Sequence, residues 1–268
     1  MITERLFNVC GELINAYVED TGKPYKVLLI HGFGSYWQMF YRLIDIKDRD
    51  FDIAALDMPG CGKSSYNEKI TLEHYANVVT EFIKMIGYEN CLVISHSMGA
   101  VTALSLLNSK IAKYGILTSP FNYKTNLISL SWIKNYERQF KNIRTIKKEA
   151  KNSDRILPSK ISLKELAIGF KDIFRNKMLF SFLIKEVLNK KYLDQSIKPL
   201  YKNTNNYLMI EGSVDNIVPL DSVIEVAAEL NKKLIIFDNL THFIWDEMTD
   251  EQLYKIEDLI DKINCDNQ

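Results

Sequence analysis

Six short runs along the chain consist mostly of apolar residues. They are KVLLIHG (26–32), FDIAALD (51–57), CLVISHS (91–97), YGILTSP (114–120), YLMIEGS (207–213) and KLIIFDN (233–239). Largely continuous apolar runs of this length are typical of strands that are buried on both faces, as in a parallel sheet. The pattern therefore predicts six strands of one mostly parallel sheet.

Helix-period stretches lie between these runs. In residues 71–87 the apolar positions recur every three or four residues, and Thr71 is placed to cap the first turn. Near the C-terminus, Thr249 and Gln252 form a T-x-x-Q capping-box pattern ahead of a second apolar stripe. Before the first run, FNVCGELINAYVED (7–20) predicts a hairpin of two strands. Strands that alternate with helices predict an α/β fold, a mostly parallel central sheet with helices on both faces.

Residues 121–206 interrupt the alternation, since they contain no convincing strand run. The whole chain has 34 Lys and Arg and 34 Asp and Glu, but this segment holds 19 basic and 7 acidic residues, a net charge of +12. A chain of 268 residues suits one domain with an insertion. We therefore predict a core domain formed by residues 1–120 and 207–268, with residues 121–206 as an inserted, basic, helical cap.

Composition narrows the class of protein. Hydrophobic residues make up 47% and charged residues 25%, which is typical of a globular protein, and no apolar run approaches the roughly 20 residues of a membrane span. The first residues show no basic and then apolar leader pattern, so we expect a cytoplasmic protein. The four cysteines are widely spaced, without a CxxC or Cys/His cluster, which predicts free thiols and no metal site.

The stretch SHSMG (95–99) places Ser97 where a strand turns directly into a helix. This corner lies at the carboxyl end of the strand, where open α/β sheets bind ligands. The small residues Ser95, Gly99 and Ala100 allow the helix to approach the strand. The backbone N–H of Met98, at the helix N-terminus, would point toward a substrate oxyanion.

A serine nucleophile needs a base, and the base needs an orienting group. Asp215 follows the run YLMIEGS, and His242 follows the run KLIIFDN. Both therefore belong to loops at the same edge of the sheet as Ser97. This arrangement predicts a catalytic triad of Ser97, His242 and Asp215.

Several motifs resemble those of the α/β-hydrolase fold superfamily. SHSMG matches the nucleophile elbow G-x-S-x-G, with Ser95 in place of the first glycine. The resemblance of IHGFG (30–34) to the family's HG loop implies that the Phe33 backbone N–H is the second oxyanion donor. DMPGCGKS (57–64) is similar to a structural loop of the family. GSVDNIVP (212–219) resembles the segment that carries the triad acid, and HFIWDE (242–247) resembles the segment that carries the triad histidine.

The resemblance implies a serine hydrolase that cleaves a carboxylic ester of a small or medium apolar acyl group without a cofactor. Thioesterase, lysophospholipase-type lipase, acyl-carrier-protein methyl ester esterase, carbon–carbon bond hydrolase, prolyl aminopeptidase and acyltransferase remain open, because they share the triad. A different class is also open, namely a non-catalytic protein that binds a small ligand on the same fold. A cap between the sixth and seventh strands is typical of the family, and the residue before the catalytic histidine is often Gly, where this chain has Thr241.

Three polar residues near the predicted site are expected to have structural roles. We expect His31 to pack in the HG turn, His96 to line the site or pack beside it, and Asp57 to form hydrogen bonds within its own loop.

The charge of residues 121–206 is interpreted as a solvated surface or as a contact for an anionic substrate, acyl carrier protein or anionic lipid. No nucleic-acid motif accompanies this basic charge, so we do not expect a nucleic-acid partner. The sequence leaves open whether the protein is a monomer or a dimer.

Overall fold

The computed structural model describes residues 2–67, 69–125 and 181–266. Its strands are β1 (Ile2–Val9), β2 (Glu12–Glu19), β3 (Tyr25–Ile30), β4 (Phe51–Leu56), β5 (Cys91–His96), β6 (Ala112–Thr118), β7 (Tyr207–Gly212) and β8 (Leu234–Phe237). They form one sheet in the order β1-β2-β4-β3-β5-β6-β7-β8. β1 and β2 pair antiparallel, as predicted for the hairpin, and β3 to β8 pair parallel. Each of the six predicted runs overlaps one strand.

Helices cover both faces of this sheet, which confirms the predicted α/β class. They are α1 (Tyr41–Ile44), α2 (Leu72–Ile86), α3 (Gly99–Asn108), α4 (Ser181–Val187), α5 (Lys190–Tyr192), α6 (Lys198–Asn203), α7 (Leu220–Leu230), α8 (Ile244–Glu247) and α9 (Asp250–Asp266). One apolar cluster includes buried residues of α2 and α3, such as Val79 and Leu104. A second cluster includes Trp245 of α8 and Ile256 of α9. The sheet is therefore buried between two apolar layers, which explains its continuous apolar runs.

Two helix starts follow the predicted capping chemistry. The Thr71 hydroxyl accepts a hydrogen bond from the His74 N–H at 3.0 Å, so Thr71 caps α2. At the start of α9, the Thr249 N–H donates to Gln252 Oε1 at 2.8 Å, and the Gln252 N–H donates to Thr249 Oγ1 at 3.2 Å. Both predicted caps are confirmed.

The predicted cap lies only partly within the described residues, because residues 126–180 fall outside them. Its last part is helical, with α4, α5 and α6 and a π-helical turn at Leu193–Ile197. Tyr201 of α6 is fully buried, and its hydroxyl donates to the Phe121 carbonyl at 2.6 Å. This bond joins the two described ends of the segment. No helix in the described part of the chain combines the length and apolarity that a bilayer crossing requires.

Candidate active site

Parallel pairing brings the carboxyl ends of the central strands to one edge of the sheet. His96 at the end of β5 pairs with Thr118 at the end of β6, and Gly212 at the end of β7 pairs with Phe237 of β8. The loops that follow these strands therefore meet at this edge.

Ser97 occupies a sharp corner between β5 and α3. Its φ of 52° is left-handed, a conformation that costs a residue other than glycine about 1–2 kcal/mol. Backbone hydrogen bonds hold it there: the Ser97 N–H donates to the Thr118 carbonyl at 2.9 Å, and the Ser97 carbonyl accepts from the Phe121 N–H at 3.0 Å. The surrounding backbone thus fixes the direction of the Ser97 side chain.

Small residues around the corner are a steric requirement. A Cβ on Gly99 would lie 2.7 Å from the His31 carbonyl oxygen, and a Cβ on Gly32 would lie 2.9 Å from the Ser97 Cβ. Ser95 replaces the family's glycine and is fully buried, and its Oγ has no hydrogen-bond partner among the described residues. Serine is therefore small enough for this position, although its hydroxyl is left unsatisfied.

The structure brings Ser97, His242 and Asp215 into one hydrogen-bonded chain. His242 Nε2 lies 3.0 Å from Ser97 Oγ, and His242 Nδ1 lies 2.7 Å from Asp215 Oδ2. All three residues are buried. A carboxylate beside Nδ1 favours the tautomer with its proton on that nitrogen, which leaves Nε2 to accept the hydroxyl proton of Ser97.

Asp215 is surrounded by hydrogen-bond donors. Its Oδ1 accepts from the Ile217 N–H at 2.7 Å and from the Val218 N–H at 2.8 Å. Burial by itself raises the pKa of a carboxyl group, but the bonds from His242 and these two amides outweigh it, so the pKa of Asp215 is lowered. Asp215 is therefore ionised at neutral pH and can balance a positive charge on His242.

The loop that carries His242 is fastened at two points. The Thr241 N–H and hydroxyl donate to the two carboxylate oxygens of Glu247 at 2.7 and 2.6 Å. The Trp245 Nε1–H donates to Thr118 Oγ1 at 3.0 Å, and the Thr118 hydroxyl donates to the Ser95 carbonyl at 2.8 Å. Thr241, the departure from the family pattern, thus anchors the loop. The sequence did not reveal that Trp245 holds this loop, because a tryptophan in an apolar stretch is typical of any protein core.

A cavity of about 210 Å³ opens at Ser97 and His242. Most of the other residues that line it within the described ranges are apolar, and they include Phe33, Met39, Met98, Phe121, Ile217, Val218 and Phe243. Phe33 and Met98, the predicted oxyanion donors, therefore lie in the wall of the same cavity as Ser97. Among the described residues, no group of three or more His, Cys, Asp or Glu side chains is placed to hold a metal ion.

His31 and Asp57 hold the loops beside this cavity. His31 is buried, its Nε2 accepts from the Met58 N–H at 2.9 Å, and its Nδ1 lies 2.7 Å from the Gly32 carbonyl oxygen. Burial lowers the pKa of His31, which favours the neutral ring that these two contacts require. Asp57 accepts from the Trp37 N–H and the Lys63 N–H, each at 2.9 Å. Both residues therefore stabilise loops, as predicted.

His96 packs against the base, as predicted. The ring centres of His96 and His242 are 4.8 Å apart, and His96 lines the cavity. Burial, together with the nearby His242 and His31, lowers the pKa of His96 well below its usual value. His96 is therefore neutral and adds no charge beside His242.

Comparisons with known proteins agree with this architecture. Residues 25–247 match the family model of the alpha/beta hydrolase fold. The chain is 27% identical to "Putative esterase/lipase 2" of Mycoplasma genitalium, over 80% of this chain and 81% of the relative. It is 26% identical to "Uncharacterized hydrolase YugF" of Bacillus subtilis, over 91% of this chain and 92% of the relative. A crystal structure of a bacterial membrane phospholipase A superposes with a TM-score of 0.75 at 19% identity, over 98% of this chain and 87% of that one.

The family model matches well over half of the chain, so the protein belongs to the α/β-hydrolase fold family. The resemblance read from the sequence motifs is confirmed, as are the predicted fold and the class of enzyme, a hydrolase. The solved structure supports the fold alone.

Proposed function

We propose that the protein is a serine esterase that hydrolyses esters of small or medium apolar acyl groups. The observation that carries the proposal is the chain of contacts from Ser97 through His242 to Asp215, which begins in the wall of an apolar cavity. Relatives named esterase/lipase over four fifths of the chain support the same class of reaction.

In this proposal, the Ser97 Oγ attacks the ester carbonyl carbon while His242 Nε2 accepts the hydroxyl proton. The ionised Asp215 stabilises the charged ring of His242. The resulting oxyanion is bound by the backbone N–H groups of Phe33 and Met98, each of which contributes roughly 3 kcal/mol in comparable sites. The intermediate expels the alcohol, which takes the proton from His242, and water then hydrolyses the acyl-enzyme by the reverse sequence.

The cavity supports a small acyl group. Its volume of about 210 Å³ is below the roughly 300–1,000 Å³ of pockets that hold drug-sized ligands. Two described lysines of the basic segment are engaged within the chain: Lys124 Nζ lies 2.8 Å from a Glu225 carboxylate oxygen, and Lys198 Nζ lies 2.8 Å from one of Glu229. Part of the basic charge is thus matched inside the protein, and we take a small neutral ester as the substrate.

Fluorophosphonate labelling and hydrolysis of p-nitrophenyl esters from C2 to C12 test the proposal. We expect stoichiometric labelling at Ser97 and turnover that is highest at one short or medium chain length. Turnover highest at C10 or C12 would favour a lipase instead. A folded wild-type protein that neither reacts with the probe nor cleaves any ester would favour the non-catalytic binding protein.

A further inference from the structure

Glu211, the penultimate residue of β7 before the loop of Asp215, carries a carboxyl group that the proposed mechanism does not use. It is 0% exposed, although glutamate is almost never fully buried unless it is paired. Its Oε1 accepts from the Gly212 N–H at 2.9 Å and from the Ser119 hydroxyl at 3.2 Å. Its Oε2 meets no hydrogen-bond donor among the described residues.

The group beside Glu211 is the carboxylate of Asp215, within hydrogen-bonding reach. Two ionised carboxylates in a buried site repel each other, so one of them holds a proton. Asp215 accepts from His242 and from two backbone amides, whereas Glu211 accepts from one amide and one hydroxyl. The richer set of donors stabilises the charge on Asp215, and the proton belongs to Glu211.

The electrostatic surroundings favour the same assignment. Burial, followed by the charge of Asp215, raises the pKa of Glu211 to about 10, whereas the pKa of Asp215 is lowered. The buried phenol of Tyr201 also interacts with Glu211, and it is neutral because burial raises its pKa. Among the described residues no cation is paired with Glu211.

We propose that Glu211 is a positioning residue that stays protonated at neutral pH and donates a hydrogen bond from Oε2 to the carboxylate of Asp215. The Ser119 hydroxyl and the Gly212 N–H orient the carboxyl group so that its proton faces Asp215. The bond restrains the carboxylate that orients His242 and adds no second negative charge. The proposal rests on the proposed function, since it assigns Asp215 the role of the triad acid.

Two uncharged variants of Glu211 test whether its hydrogen-bond donor is what matters, since one keeps a donor and the other has none. In Glu211→Gln, the amide oxygen replaces Oε1 and the NH₂ group replaces the donating Oε2–H. Glu211→Leu is close in size but has no donor. Ile210→Val, at the neighbouring buried position of β7, is the matched control for a small packing defect in the same strand.

The kinetic measurement is kcat and KM on the best p-nitrophenyl ester from pH 5 to 9, with thermal unfolding of each variant. We expect Glu211→Gln to keep kcat within about three-fold and to lose activity on the acid side at the same pH as the wild type. Glu211→Leu should lower kcat at least about ten-fold with little change in KM, as expected for a lost bond to a charged group. Ile210→Val should lower thermal stability without lowering kcat.

Three outcomes would overturn the proposal. Glu211→Leu could match the wild type in kcat, or a folded Glu211→Gln could lose as much activity as Glu211→Leu. The third is an acid limb of the Glu211→Gln profile that moves to lower pH by about one unit or more, because that shift means that Glu211 is ionised in the wild type.

An infrared spectrum tests the protonation state without any turnover. We expect the wild type at pH 7 to show a carboxylic-acid C=O band that is missing from the spectra of both Glu211 variants. Identical spectra in this region would refute the proposal even if the protein is an esterase. A band that depends on Glu211 in a protein that fluorophosphonate does not label would instead mean that the proposed function is wrong and the hydrogen bond is real.

Discussion

Two neighbouring strands of the sheet are each followed by a serine in the left-handed backbone conformation. Ser97 follows β5 with a φ of 52°, and Ser119 follows β6 with a φ of 44°. Both are buried, and both N–H groups donate to a neighbouring strand, to the Thr118 and Ile210 carbonyls. Their hydroxyls differ, because Ser97 meets His242 at the cavity whereas Ser119 donates to the carboxyl group of Glu211.

In the proposed mechanism, neither the residue type nor the left-handed backbone is enough by itself to make a nucleophile. A hydroxyl becomes reactive when a base can take its proton and a substrate can reach it. The oxygen of Ser97 faces an imidazole that a carboxylate orients. The oxygen of Ser119 lies against the buried carboxyl group of Glu211, so its hydrogen bond orients that side chain.

The largest difference is expected from removing each hydroxyl in turn. Ser97→Ala should lower kcat by about 10⁶-fold and abolish fluorophosphonate labelling. Ser119→Ala should keep the labelling and most of the turnover. It removes the Ser119–Glu211 contact, which is separated from His242 by the proposed Glu211–Asp215 bond and the Asp215–His242 bond. Mass spectrometry of the labelled protein and initial rates measure both effects, and label on Ser119 would reverse the assignment.

The next largest effect tests the partner of the base. Asp215→Asn should lower kcat by about 10⁴-fold with little change in KM, because an amide beside Nδ1 favours the wrong tautomer of His242. Ser97 and its backbone conformation stay in place in this variant. A loss of less than ten-fold would mean that the Ser97 corner itself accounts for most of the reactivity.

A smaller effect is expected from crowding the Ser97 corner. Gly99→Ala should lower the free energy of unfolding by about 1–3 kcal/mol and also lower kcat, since the new Cβ would meet the carbonyl oxygens of His31 and Ile30 at 2.7 and 2.8 Å. Gly87→Ala is the control: φ is 69° but nothing lies within 4 Å, so stability should fall with no change in kcat. Urea unfolding and initial rates separate the two. Equal kcat in both variants would show that the corner tolerates a shift.

The most gradual effect is a change of stability with pH, and it concerns Glu211, the carboxyl group that Ser119 contacts. The pKa of Glu211 is raised from 4.5 to about 10, so its contribution to stability is fully present below pH 4.5 and is lost as the pH rises toward 10. The unfolding free energy of the wild type relative to Glu211→Gln should therefore decrease with pH, by at most about 1.4 kcal/mol per unit. Urea unfolding of both proteins from pH 5 to 9 measures it. A pH-independent difference would mean that Glu211 does not change its proton affinity on folding.

Much of the site could be predicted from local sequence, for identifiable reasons. Strand ends are marked where an apolar run stops, and parallel strands bring their carboxyl ends to one edge, so Ser97, Asp215 and His242 could be grouped without coordinates. The caps at Thr71 and Thr249 were equally predictable, because their hydrogen bonds span only three residues. Glu211 could not be found in this way: a single acid inside an apolar run carries no sign of whether it faces water, a cation or another carboxylate.

The basic segment, residues 121–206, shows most clearly what the sequence leaves open and what the structure adds. Its net charge of +12 is a property of the sequence, and no pattern along the chain says what the charge meets. In the structure, Lys124 and Lys198 of this segment lie against Glu225 and Glu229 of α7, residues distant along the chain.

The sequence by itself determined the α/β class, the hairpin, the helix caps and the order of the triad residues, because these depend on periodicity, turn chemistry and strand polarity. Only the tertiary structure decided which group the Ser119 hydroxyl contacts, which carboxyl group lies beside Asp215 and what fastens the histidine loop. Those outcomes depend on burial and on donors contributed by distant segments, such as the indole of Trp245 against Thr118, 127 positions away. Hydrogen-bond geometry and desolvation act between neighbours in space, and the sequence orders its residues only along the chain.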